Sequence, residues 1–172
     1  AQAIHRAGPR VKDPLIRVQP TFTSNDLLTS EIFGHQRGAF TGAVESRKGL
    51  LEEAHKGTLF IDEVDELPKE TQILLLNVLQ ERAFRRVGSN QEIRSDFRLI
   101  TATNCPLDDL VHKDRLREDF FQRIAHFVIE LPPLRERKED IPHLAQEFLQ
   151  QVVSREKLAV FGFTPEAIGK LV

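Results

Sequence analysis

Methionine is absent from all 172 residues, so no initiator residue is in view and the chain is expected to be a segment of a longer protein. Cysteine occurs once, at Cys105, which excludes an internal disulfide and leaves no second thiol for a CxxC metal or redox pair. A cytoplasmic setting is the simplest reading. No apolar run is long enough to span a bilayer, and no block of like charge marks a disordered tail. The first residues, Ala1-Gln2-Ala3-Ile4-His5-Arg6, lack the apolar stretch and cleavage site of a secretory signal. Basic side chains number 24 and acidic ones 26, a formal net charge of -2, so no bulk attraction to nucleic acid or acidic lipid is implied. Histidines stand at 5, 35, 55, 112, 126 and 143, without HxxxH or HExxH spacing, and no zinc site is expected. Internal repeats are missing too.

What is present fits one globular unit: 40% hydrophobic residues, 29% charged, and a length ample for a core. Both ends read as parts of helices. Residues 1–7 are good helix formers stopped by Gly8-Pro9, and Thr164-Pro165-Glu166 reads as an N-cap, a first-turn proline and an acidic first turn. Between them, strand signals fall at 15–18, 58–61, 99–102 and 127–131, the last stopped by Pro132-Pro133. Helical periodicity covers 25–33, 49–54 and 116–124. It also covers a helix opened by Pro68 with Ile73, Leu74, Leu76, Val78 and Leu79, and a long helix after Asp140 with Ile141, Leu144, Ala145, Phe148, Leu149 and Val152 on one face. Residues 84–96, with Gly88-Ser89-Asn90 in the middle, read as a hairpin. Strands alternating with helices imply an α/β layer with a parallel sheet flanked by helices.

In such a sheet, polar residues at strand tips converge on the crevice where ligands bind, which would bring Asp62-Glu63 and Thr103-Asn104 together. An aspartate after an apolar strand can hold magnesium, and the following glutamate can accept a proton from an attacking water. Taken alone, the pair equally reads as the start of a solvated loop. Arg117 and Arg123 lie six apart, roughly 120° around a helix axis, so they form no single stripe. They could reach different atoms of one phosphate, or, as spacing alone favours, face carboxylates such as Glu118 and Asp119 on a solvated helix. Gly38-Ala39-Phe40-Thr41-Gly42-Ala43 carries no charge and sets a phenylalanine among small residues. That places Phe40 either at a partner contact or folded back into the core. Thr103-Asn104-Cys105-Pro106 could suggest a thiol nucleophile, but no paired histidine accompanies it and a packing role is favoured.

The run from Ser30 through Phe33-Gly34-His35-Gln36-Arg37 to Gly38-Ala39-Phe40-Thr41-Gly42-Ala43 closely resembles the GAFTGA signature of sigma-54-dependent transcription activators, a branch of the AAA+ ATPases. The likeness continues through Gly57-Thr58-Leu59-Phe60-Ile61-Asp62-Glu63-Val64, similar to a Walker B strand, and Arg86-Val87-Gly88. It then runs through Ala102-Thr103-Asn104, similar to sensor I, Leu116-Arg117-Glu118-Asp119-Phe120-Phe121-Gln122-Arg123, and Leu131-Pro132-Pro133-Leu134-Arg135-Glu136-Arg137. Nearly the whole chain is covered.

This resemblance implies an AAA+ P-loop NTPase-like α/β core over residues 1–134 and the shortened start of a helical lid subdomain over 135–172. It implies ATP and Mg2+ as ligands. Asp62 would organise the ion through water, Glu63 would activate the attacking water, and Thr103 and Asn104 would sense the γ-phosphate. Arg117 and Arg123 match arginine fingers acting on a neighbouring subunit, which implies a ring, usually a hexamer. Gly38, Ala39, Phe40, Thr41, Gly42 and Ala43 would contact sigma-54 RNA polymerase, with residues 85–96 as a second loop moving with the first. ATP turnover would drive the polymerase from its closed to its open promoter complex.

The chain departs from the family pattern in three places. The Walker A loop, GxxxxGK, does not occur and would precede Ala1. Sensor II and the DNA-binding helix-turn-helix would follow Val172, so DNA contact is expected only through that further domain and ATP hydrolysis by this chain alone is expected to be poor. Gln19 stands where many relatives carry an asparagine that restrains the catalytic glutamate, followed by Pro20-Thr21-Phe22 in place of small residues. Glutamine makes the same kinds of hydrogen bond at longer reach. Two other functions compete: a non-catalytic scaffold that keeps the sigma-contacting loop, and a carboxylate-metal nuclease built on Asp62, Glu63, Asp65 and Glu66.

Overall fold

Thr58–Ile61 is apolar on both faces apart from the threonine, as a strand covered from above and below must be. In the computed structural model, which describes residues 1–20 and 24–171, this strand is the centre of a three-stranded parallel sheet. The strands are β1 (Leu15–Val18), β4 (Thr58–Ile61) and β7 (Arg98–Thr101), in the order β1-β4-β7. Leu15 stands opposite Thr58 and Thr58 opposite Arg98, so all three strands end at one level, with Val18, Ile61 and Thr101 in line.

The segments joining them supply the covering layers. After the opening helix α1 (Gln2–Arg6) and β1 come α2 (Asn25–Phe33), a two-residue ladder of β2 (Gly34–His35) with β3 (Arg47–Lys48), and α3 (Leu50–Glu53). After β4 come a 3-10 turn (Val64–Glu66), α4 (Lys69–Glu81), and the antiparallel hairpin β5 (Ala83–Arg85) with β6 (Glu92–Arg94). Then β7 leads to α5 (Leu107–His112) and α6 (Glu118–Ile124). Leu28, Ile32, Leu51, Leu59, Ile61, Leu75, Val78, Leu110, Leu116 and Phe120 form one buried cluster. At roughly 25 cal/mol per Å2 of apolar surface, such side chains dominate the stability of the layer.

The chain divides into two compact units, Ala1–Phe127 and Val128–Val172. The second holds two 3-10 turns (Leu134–Glu136 and Lys138–Asp140), then α7 (Ile141–Glu156) and α8 (Pro165–Gly169). Thr164 caps α8 as its sequence suggests, its hydroxyl accepting from the Ala167 amide at 3.2 Å. Among the described residues no helix is long and apolar enough to cross a membrane.

Several expectations need correction. Residues 127–131 form no strand; they belong to no ladder, and Phe127 is 95% exposed. An apolar alternation makes a strand only where a neighbour completes its hydrogen bonds. On α4 the buried stripe is Thr71, Gln72, Leu75, Val78 and Leu79, while Ile73 and Leu74 face outward. Asp140 does not cap α7 through its side chain; it is helical itself, closing the preceding 3-10 turn. Helix α5 had no clear sequence signal. Of the residues after Gln19, Thr21 and Phe22 lie outside the described residues.

Candidate functional site

Because β4 and β7 are hydrogen-bonded neighbours running the same way, their C-terminal tips adjoin, and Asp62-Glu63 comes beside Thr103-Asn104. Hydrogen bonding continues past the strands: the Asp62 amide donates to the Val18 carbonyl at 3.0 Å, and the Ala102 carbonyl accepts from the Val64 amide at 2.9 Å, one residue further along than an unbroken ladder would place it. Gln19, exposed and directly after β1, therefore lies at the same edge. Asp62 is half-buried and accepts from Arg17 Nη2 at 2.5 Å, so its carboxylate already serves a cation. Glu63 is half-buried in left-handed backbone, φ 51° and ψ 54°, a region that non-glycine residues rarely occupy and that recurs at active sites.

Thr103 donates to Asp65 Oδ1 at 2.6 Å. Asp65 is buried and also accepts from Cys105 Sγ at 3.1 Å and from Arg115 Nη2 at 3.3 Å. Burial works to raise the Asp65 carboxyl, but the hydrogen bonds from Thr103 and Cys105 and the Arg115 charge outweigh it and hold the group below the usual carboxylate range. Cys105 thus packs as a donor to a buried acid. Asp65 and Glu66 both accept from Arg115 Nη2, at 3.3 and 2.7 Å, while Asp62 pairs with Arg17. Among the described residues no group of three or more His, Cys, Asp or Glu side chains could hold a metal ion. Asn104 is exposed, its Oδ1 3.5 Å from Cys105 Sγ.

Arg117 lies at the N-cap of α6 in extended backbone, and Arg123 in its last turn. The helical spacing expected between them therefore does not apply. Arg117 grips Asp119 with two hydrogen bonds, Nε to Oδ1 at 3.0 Å and Nη2 to Oδ2 at 2.8 Å, while Arg123 donates to the Leu79 carbonyl at the end of α4 at 2.8 Å. The first is a surface cation held by a carboxylate; the second closes a helix terminus.

At another place, residues 38–43 fold on themselves: the Gly38 amide donates to the Ala43 carbonyl at 2.8 Å and the Ala43 amide to the Phe40 carbonyl at 3.0 Å. Phe40 is neither free nor in the core. It is half-buried, edge-on to His35 at 5.1 Å between ring centroids, and His35 in turn meets Ser30 Oγ at 2.7 Å. Thr41 and Gly42 are exposed. The loop's base is narrow, since a Cβ on Gly49 would come within 2.3 Å of the Gly34 amide nitrogen.

The 83–94 hairpin meets this loop through backbone. The Val87 amide donates to the Gly34 carbonyl at 3.0 Å, and the Gln36 amide to the Val87 carbonyl at 3.0 Å. Arg86 binds Glu52 of α3 with two 2.7 Å hydrogen bonds. That hydrogen bonding, opposed by burial and helped by the Gly49 amide, lowers the Glu52 carboxyl below its ordinary range. Sequence reasoning missed Glu52 and Arg17, and saw Asp65 only as a possible metal ligand; nothing local distinguishes them from solvated charges.

An acidic tip, Asp62-Glu63, beside a polar one, Thr103-Asn104, on adjacent parallel strands is the arrangement with which open α/β sheets bind ligands. The comparisons narrow this to one family. A family model described as Sigma-54 interaction domain matches residues 1–130, and the chain belongs to that family. It is 48% identical over 168 residues to a Nif-specific regulatory protein of Herbaspirillum seropedicae, covering 98% of this chain and 31% of that protein. It is 46% identical over 172 residues to the transcriptional regulatory protein ZraR of Escherichia coli K12, covering 100% of this chain and 39% of that protein. The chain thus spans well under half the length of these relatives. In structure it resembles NtrX of Brucella abortus, with TM-score 0.88, 32% identity, and coverage of 99% of this chain and 37% of NtrX. NtrX has also been solved with ADP and with ATP, where the TM-scores to this chain are 0.85 and 0.84. The AAA+ parallel-sheet fold expected from the sequence is the fold observed.

Proposed function

We propose that the protein carrying this chain is an ATP-hydrolysing transcription activator that remodels the closed complex of sigma-54 RNA polymerase, and that this chain holds the water-activating part of the engine and the contact loop. The observation that carries the reading is the adjacency of Asp62-Glu63 and Thr103-Asn104 at one sheet edge, with Glu63 in strained backbone. Glu63 accepts the proton of the attacking water as its oxygen bonds to the γ-phosphorus; the bond from that phosphorus to the bridging oxygen breaks, and ADP leaves. Thr103 and Asn104 orient the γ-phosphate end. Arg117 neutralises developing phosphoryl charge in a neighbouring subunit of a ring, and Arg123, bonded to α4, supports the same face.

Asp62 would hold magnesium through water, and its pairing with Arg17 marks it as a cation-binding carboxylate. That ion, when bound, offsets phosphate charge. The lysine and backbone cradle of a Walker A loop are not among these residues. Gly38, Ala39, Phe40, Thr41, Gly42 and Ala43 form the contact with sigma-54, and DNA is met by a separate domain.

The test is ATP hydrolysis and sigma-54 binding by the full-length protein. Glu63→Gln is expected to lower hydrolysis on the order of 10²-fold or more, within the range for a lost general base. Phe40→Ala is expected to keep hydrolysis and lose sigma-54 engagement. If the wild-type protein engages sigma-54 without hydrolysing ATP, the scaffold function takes the place of this one.

A further inference from the structure

Gln72 is a fully buried polar residue on α4, where an apolar side chain of the same size would fill the space without needing partners. Its amide is fully occupied. Nε2 donates to the Leu67 carbonyl at 2.8 Å and to the Arg115 carbonyl at 3.1 Å, and Oε1 accepts from the Arg117 amide at 2.9 Å. Only this orientation works: a flipped amide would set its oxygen against two carbonyls and its NH2 against an N–H. All three partners are main-chain groups, so Gln72 reads the path of the backbone rather than neighbouring side chains.

The path it reads joins two parts of the candidate site. Leu67 closes the 3-10 turn that follows Asp62-Glu63, and Arg117 begins α6. Other tethers cross the same gap, Lys69 to Asp114 at 2.6 Å and Arg115 to Glu66 at 2.7 Å and to the buried Asp65 at 3.3 Å, but each has an exposed partner, and such pairs hold geometry weakly. Leu116, between the two carbonyl and amide partners, is buried in the core. The buried amide is the tether that fixes the direction of the chain where the Arg117 side chain leaves it.

We propose that Gln72 is the positioning residue for Arg117: it sets the finger that one subunit offers to the next, and ties that finger to the segment carrying its own subunit's Glu63. This rests on the reading of Arg117 as an interface arginine. Gln72 acts through main-chain groups.

The experiment uses the full-length protein and mixed subunits. Gln72→Met removes all three hydrogen bonds at similar volume, and Gln72→Asn keeps an amide but withdraws it from residues 115–117. Either is expected to lower ATP hydrolysis on the order of 10²-fold, the effect of misplacing a reacting group by about 1 Å, with ATP affinity unchanged. Mixed with Glu63→Gln chains, the Gln72 variants are expected to regain hydrolysis, because their intact Glu63 is then served by a neighbour's well-placed Arg117. An Arg117→Ala plus Glu63→Gln mixture is the control. If that control regains nothing, the interface-arginine reading itself fails. If the control is rescued while the Gln72 variants keep wild-type turnover, lose ATP affinity or are not rescued, Gln72 does not act through Arg117 and the proposal is overturned.

Discussion

Glu63 and Gly88 both sit in left-handed backbone, and the difference between them shows how single residues divide work and stability. Glu63 keeps a side chain where glycine would be easier, at a strand tip. Gly88 carries no side chain, and a Cβ there would meet the Ala39 Cβ at 2.8 Å, with φ at +77°. Gly38 is also at positive φ, +81°, but its Cβ would point into open space. Gly88→Ala is therefore expected to cost about 1–3 kcal/mol and to cost more than Gly38→Ala, as read from urea midpoints. Glu52 gives a pH prediction. Its carboxyl is lowered in the folded chain, so its stabilisation is fully present above its unfolded value of about 4.3 and is lost as pH falls through the folded value. Stability measured by urea should drop on acidification below about pH 4, and Glu52→Gln should flatten that limb; an unchanged slope would remove the Arg86 pairing from the account. At this scale the strand-tip residues were legible from pattern, since polar groups directly after apolar strands have few places to go. Asp65, Glu52 and Gln72 were not, because burial of a charged or amide side chain depends on partners 38, 34 and 45 residues away.

Helix α6 shows how an element is fixed by few side chains. It has seven residues, too short to persist alone, and Phe120 is its buried anchor, in the same core cluster as Leu75, Val78 and Leu79 of α4. Phe120→Ala is expected to lose about 3–5 kcal/mol in chemical denaturation; a loss under about 1 kcal/mol would mean the anchor lies elsewhere. Element types were mostly readable: β1, α2, β4 and the hairpin fall where periodicity puts them. The failures share a cause. The segment 127–131 has the composition of a strand but no ladder partner among the described residues, and Arg117 marks a cap rather than a helical turn because Gln72 holds its amide. Sequence pattern records which face wants burial, not which neighbour is there to pair.

At the scale of the molecule, the passage from Ala1–Phe127 to Val128–Val172 runs through exposed residues, including Phe127 and Leu131. Limited digestion with chymotrypsin is expected to cut there first, giving two fragments by mass spectrometry before the core strands are attacked; early cuts at Phe60 or Phe120 would contradict the division. The parallel α/β layer was readable as a whole because strands and helices alternate, while the contact between hairpin and loop was invisible, being made of main-chain groups. That contact has a consequence for how the protein can change over generations. Val87 joins Gly34 and Gln36 through peptide N–H and C=O alone, so side chains at 36 and 87 can drift freely while the joint persists. Proline is the exception, since it lacks the donor. A lineage could thus retune the side chains at 36 and 87 without uncoupling loop and hairpin, while Gly34 and Gly88 stay fixed by the close approach of neighbouring atoms.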